Sequence, residues 1–163
     1  RWARVAKDLI DEYRLKDGAK ILDVGCGKGF LLYDLKKFNP TFEVSGLDIS
    51  KYAIDHSMDG IRPYCVKGCA SELPFNDNEF DLVVSINTLH NLNLHKLWQA
   101  FEDISRVSKG HQFICLEAYR NEKEKVNLLY WQLTCRSIFS PEDWQFLFEK
   151  TGYRGDYEFI YFE

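Results

Sequence analysis

Hydrophobic and polar positions along this chain alternate between two rhythms. Trp2, Val5, Ala6, Leu9, Ile10 and Tyr13 recur at helical spacing and fall on one face, with Asp17-Gly18 as the closing signal. Lys20-Ile21-Leu22-Asp23-Val24 then reads as a short strand entering a glycine-dense turn. A helix follows through Phe30, Leu31, Leu35 and Phe38, stopped by Asn39-Pro40. A second strand runs from Phe42 to Leu47 and ends at Asp48, and Ser50 is a good N-cap for the next helix. A third strand is expected around Arg62 to Lys67.

The same alternation continues through the second half. Residues 76–79 form a turn before a strand from Phe80 to Ile86, and Leu94, Leu97, Trp98, Phe101 and Ile104 mark an amphipathic helix. A strand from Gln112 to Glu117 comes next. Residues 119–139 are polar and then aromatic, with a helix expected from Val126 to Cys135. Ser140-Pro141-Glu142-Asp143 combines an N-cap, a proline at the first helical position and an acidic partner. That helix covers Trp144, Leu147 and Phe148 and ends at Thr151-Gly152, before a last strand from Asp156 to Phe162.

Strands alternating with helices in this way imply right-handed βαβ units. The expected fold class is α/β: a doubly wound, mostly parallel sheet with helices on both faces. No repeat, low-complexity tract or linker divides the 163 residues, so residues 1–163 read as a single domain. The first residue is Arg1 rather than Met, which leaves a longer natural N-terminus open.

Composition narrows the function classes. The formal net charge is −4 and no Lys/Arg cluster exists, so neither nucleic-acid nor anionic-membrane binding is expected. No apolar run approaches the roughly 20 residues that a membrane span needs, and no signal-peptide pattern opens the chain. The aromatic fraction of 15% suits a core or a ligand pocket equally. Five cysteines, an odd number without a secretory signal, point to a reducing cytoplasm rather than a disulfide framework. Cys65 and Cys69 could begin a zinc site, but no second pair completes it, and no metal is expected.

The chemistry-bearing stretch is ILDVGCGKG at 21–29. Gly25, Gly27 and Gly29 remove side chains where the backbone must turn sharply and approach a ligand. Asp48 ends the second strand 19 residues after Gly29 (48 − 29), where a carboxylate can accept hydrogen bonds from ribose hydroxyls. A dinucleotide fingerprint would need a third glycine at position 30. Phe30 stands there and argues against close approach of a pyrophosphate.

With these residues in view, the chain resembles the class I S-adenosylmethionine-dependent methyltransferases. ILDVGCGKG is similar to their first motif and GLDIS (46–50) to their acidic loop; ELPFNDNEFDLVVSINTLHNL (72–92) resembles the stretch through their fourth strand, and FICLEAY (113–119) the fifth. The resemblance implies S-adenosyl-L-methionine as cofactor, with S-adenosyl-L-homocysteine as product. It places the methionine moiety against Gly25, Cys26, Gly27 and Gly29, with Asp23 orienting the loop. It assigns the ribose hydroxyls to Asp48 and the adenine face to Ile49. Cys69 and Ala70 fall at the adenine edge, and Asn87 and Thr88 beneath the methyl group. Cys69 replaces the aspartate of many relatives, and a thiol is a weak acceptor for the adenine amino group; Ser71 or Glu72 are candidates to compensate. The family carries two strands after the last helix where this chain shows one. The C-terminal sheet edge is therefore expected to be incomplete or closed by a partner, which leaves a homo-oligomer open.

The resemblance further implies transfer of a methyl group to an O or N atom of a small-molecule acceptor, by in-line displacement and without metal. His90, just past the fourth strand, is the first candidate for a base; a helix-cap or rim residue is the other reading. His95 is second, and Glu117 and Tyr119 are expected to flank the cleft. Residues 119–139, with Arg120 through Lys125 as a charged hinge leading to Tyr130 and Trp131, are expected to form a lid. Two other functions stay open: a cofactor-binding module that does not methylate, and a different use of the same cofactor, such as aminopropyl transfer.

Overall fold

The structure, a computed structural model, describes residues 2–163. Six strands form one sheet in the order β3-β2-β1-β4-β5-β6: β1 (Lys20–Val24), β2 (Glu43–Asp48), β3 (Cys65–Lys67), β4 (Phe80–Ile86), β5 (Ser108–Glu117) and β6 (Asp156–Ile160). Every pairing is parallel, more uniformly than the sequence implies. The helices are α1 (Trp2–Glu12), α2 (Phe30–Phe38), α3 (Lys51–Asp55), α4 (Leu94–Val107), α5 (Glu122–Trp131) and α6 (Pro141–Thr151).

A parallel sheet needs cover on both faces, and the strand alternation supplies it. Leu22, Val24, Val83, Ile114 and Leu116 face a layer in which Phe101 of α4 meets Trp144 and Phe148 of α6. Ile21, Leu82, Val84 and Phe113 face the other way, onto Ala6 and Leu9 of α1 and Leu31, Leu32 and Leu35 of α2. The strand order reverses between β1 and β4, and open α/β sheets bind ligands beyond the carboxyl ends of the strands at such a switch point.

The expected elements are all present with several displaced boundaries, among them the end of α5, at Trp131 rather than Cys135, and that of β6, at Ile160 rather than Phe162. Helix α1 stops at Glu12, because Arg14 turns to φ 48° and Leu15 N–H bonds back to Ile10; Gly18 serves the turn into β1 instead. The third strand is cut to Cys65–Lys67, since Pro63 lacks an N–H and residues 62–64 form a 3-10 turn. Strand β5 begins at Ser108 rather than Gln112. Helix α5 starts at Glu122 rather than Val126, because the Asn121 side chain caps it by accepting from Glu124 N–H. The charged run is thus the first turn of a helix rather than a hinge. Arg120 binds Glu124 and Glu163 across it.

Candidate functional site

The turn after β1 is shaped by what its glycines omit. Gly25 has φ 88°, and a Cβ there would lie 2.0 Å from Thr88 Oγ1. Gly29 has φ 72°, and a Cβ would meet Ile61 Cγ2 at 2.5 Å. Freed of side chains, the turn folds over the end of β2, where Gly25 N–H and Cys26 N–H both donate to Leu47 O at 2.7 and 3.1 Å.

Asp48 closes that arrangement. Its Oδ2 accepts from Gly27 N–H at 2.8 Å and its Oδ1 from Ser50 N–H at 2.8 Å. A carboxylate offers about four lone-pair positions, so acceptor capacity remains for a ligand's hydroxyls. Asp48 lines a cleft of about 450 Å³ together with Gly25, Ile49, Cys69, Ala70, Asn87 and Thr88. Ile49 is 67% exposed, an apolar side chain free to lie against a flat ring. Cys69 Sγ and Ser71 Oγ pair at 3.1 Å, so the hydroxyl expected to compensate for the thiol is engaged with it.

A second compartment of about 270 Å³ adjoins the first and shares Gly25, Ile86 and Asn87 with it. Asp23, Cys26 and Gly27 line it, with Trp2 and Phe30 at its side. Asp23 is almost wholly buried, and burial, reinforced by the charges of Cys65 and Asp48, pushes its carboxyl up to about 7. Asn87 stands where the compartments meet, in a left-handed conformation at φ 53°. Its N–H donates to Cys115 O, while its Oδ1 is buried without a partner and can accept from a ligand.

Of the residues expected at the cofactor, all but Gly29 line this cleft of two adjoining compartments. Gly29 lies outside the lining of the cleft, where a Cβ would meet Ile61. His90 does not stand on its wall: it is 2% exposed, in a 3-10 turn behind Thr88 and Asn91. His90 Nδ1 lies 2.9 Å from Glu117 Oε2, out of alignment for a hydrogen bond, and Gln132 Nε2 donates to the other oxygen of Glu117. Glu117 is likewise buried rather than flanking the cleft.

The His90 main chain has a clearer task, since its carbonyl accepts from Arg136 N–H and Ser137 N–H at 2.9 and 3.0 Å. Thr134 Oγ1 donates to Asn91 Oδ1 at 2.7 Å and Ser137 Oγ to Leu92 O at 2.7 Å. These bonds hold the irregular segment 132–139 against the cleft, and Thr134 becomes part of its wall. Thr134, Asn91 and Trp2 are wall residues that sequence reasoning missed. Only the general expectation of a lid over 119–139 pointed toward the first of them.

Among the described residues no group of His, Cys, Asp and Glu could hold a metal ion, and no helix is long and apolar enough to cross a membrane.

The demethylmenaquinone methyltransferase of Staphylococcus aureus is 37% identical over 122 residues, which are 70% of this chain and 47% of the relative. The chain thus spans about half the length of the curated relatives it matches. The YcgJ protein of Bacillus subtilis superposes with a TM-score of 0.74 at 21% identity, covering 91% of this chain and 67% of that one, a likeness of fold. A SAM-dependent methyltransferase from Aquifex aeolicus is 25% identical, with a TM-score of 0.54 over 64% of this chain and 58% of its own. Residues 22–116 match the methyltransferase domain family, the fold is that of the class I methyltransferases, and the chain belongs to that family.

Proposed function

We propose that this chain binds S-adenosylmethionine in the strand-end cleft and transfers its methyl group to an O or N atom of a small-molecule acceptor. The observation that carries this reading is Asp48, a carboxylate fixed by Gly27 N–H and Ser50 N–H with acceptor capacity left toward the cleft. The cofactor supplies a methyl group on a sulfonium and departs as a neutral thioether. Asp48 would take the ribose hydroxyls, Ile49 the adenine face, and Cys69 with Ala70 its edge. Gly25, Cys26 and Gly27 would give backbone to the methionine portion, beside Asp23. Asn87 and Thr88 form the floor where both compartments meet.

In-line transfer asks the protein mainly to align the reacting atoms and exclude water. Thr134 and the segment behind it serve the second task, and His90 serves it indirectly. Buried behind the wall, His90 acts as a positioning residue, holding residues 136 and 137 through its carbonyl. A base role would require that segment to open. A soluble, cytoplasmic setting fits five cysteines that form no disulfide among the described residues.

The test is incubation with methyl-labelled S-adenosylmethionine and fractionated extract. S-adenosylhomocysteine should accumulate in step with a labelled small molecule. Accumulation of methylthioadenosine, or cofactor binding with no labelled product in any fraction, would overturn the reading.

A further inference from the structure

Beneath the glycine turn two cysteines from different elements face each other. Cys26 lies in the turn itself and is buried; Cys65 opens β3, on the far side of β2, and is half-buried. Their sulfurs are 3.9 Å apart, with Cys26 donating to Cys65. One absent side chain permits the approach: a Cβ at Gly46 would lie 2.7 Å from Cys26 Sγ. Cys26 N–H is bonded to Leu47 O, and the next N–H, that of Gly27, to Asp48. The thiol pair is therefore joined through the backbone to the carboxylate assigned to the ribose.

We propose that Cys26 and Cys65 are an oxidisable pair, converted by a hydroperoxide to a disulfide that disables the cofactor cleft. The two thiols are unequal. Accepting the Cys26 S–H, with help from the Ser57 hydroxyl and the Arg62 charge, favours the thiolate of Cys65 against the opposing effect of burial. Cys26 is held as a thiol by donating that bond and by its burial among acidic neighbours. The thiolate is the nucleophilic form, and the more exposed sulfur is the one favoured to carry it.

The Cys65 thiolate attacks one peroxide oxygen; the S–O bond forms, the O–O bond breaks, and hydroxide leaves. Cys26 gives its proton to that hydroxide and attacks the Cys65 sulfur, so that the S–S bond forms as the S–O bond breaks. The second hydroxide takes up a proton from solvent, and overall two thiols and one hydrogen peroxide become one disulfide and two waters. The sulfurs must close from 3.9 Å to about 2.05 Å. That movement draws the turn toward β3 and strains the Gly27–Asp48 bond, so oxidation should weaken cofactor binding and a dithiol should restore it.

This consequence rests on the proposed cofactor site, whereas the disulfide does not, and the experiment separates them. Reduced protein is treated with hydrogen peroxide, its remaining thiols are alkylated, and its peptides are mapped by mass spectrometry. A Cys26–Cys65 cross-link is expected. S-adenosylhomocysteine affinity by calorimetry should fall by roughly tenfold or more, the loss of one charge-assisted hydrogen bond, and recover with dithiothreitol. Cys65→Ser, or Cys65→Ala if the first folds poorly, should form no such link and keep its affinity after peroxide. Cross-linking of either sulfur to Cys69 instead, no link while other thiols oxidise, or full affinity in the linked protein would overturn the proposal. If the reduced protein itself fails to bind, the cofactor reading fails, and peptide mapping with hydrogen exchange of residues 24–29 still decides whether the disulfide forms and displaces the turn.

Discussion

Asp48 carries two loads at the end of β2: it fastens the glycine turn through Gly27 N–H and keeps lone pairs toward the cleft. Asp48→Ala removes both. Hydrogen bonds to charged groups contribute about 1.5–3 kcal/mol each, so affinity for S-adenosylhomocysteine should fall roughly tenfold to a hundredfold. Calorimetry on the folded variant reads this directly; unchanged affinity would remove Asp48 from the site. Asp23 gives a different signature. Its carboxyl is raised from 3.8 to about 7, first by burial and then by the charges of Cys65 and Asp48. A carboxyl with a raised folded pKa favours the fold while protonated, so its contribution is lost as pH climbs through the folded value. Thermal stability should decline between roughly pH 4 and pH 7 by an amount on the order of 4 kcal/mol, and Asp23→Asn should flatten that decline. Equal pH slopes in both proteins would show that the carboxyl is not forced to charge in place. Gly25 and Asp48 are legible as candidate site positions because each stands at a strand end, where local spacing decides position, whereas Asn87 enters only through the family resemblance. The burial of His90 against Glu117 is not legible in the sequence, because it depends on where residues 132–137 fold back.

At the scale of elements, the clearest difference concerns the segment after β5. The polar start Arg120–Lys125 suggests a hinge, yet Asn121 caps a helix and Arg120 ties it to Glu163. Capping competes locally and wins where the apolar period is weak: α5 leaves Leu129, Tyr130 and Trp131 largely exposed. The part that closes on the cleft is the irregular stretch 132–139, held by the His90 carbonyl and by Ser137 Oγ on Leu92 O. Ser137→Ala removes one neutral hydrogen bond, about 1 kcal/mol. Amide exchange at residues 136 and 137 should quicken by roughly fivefold. Exchange as slow as in β4 both before and after the substitution would make the segment a fixed part of the core.

For the whole molecule, alternating strand and helix patterns were enough to anticipate six strands, both helical layers and the place of the cleft, because burial on two faces leaves a parallel sheet few arrangements. Boundaries moved where a single residue overrode the pattern, as Pro63 did in shortening β3 and Asn121 in starting α5 early. Strand β6 lies at the sheet edge and is paired to β5 alone among the described strands. The central claim is that the switch-point cleft takes S-adenosylmethionine rather than a dinucleotide, with Phe30 where a pyrophosphate-binding turn would carry a third glycine. Its most direct test is a pair of titrations of the same reduced protein, one with S-adenosylhomocysteine and one with NAD. The account predicts saturable, single-site binding and a raised melting temperature with the first and neither with the second. A melting shift with NAD, or none with S-adenosylhomocysteine, would contradict it.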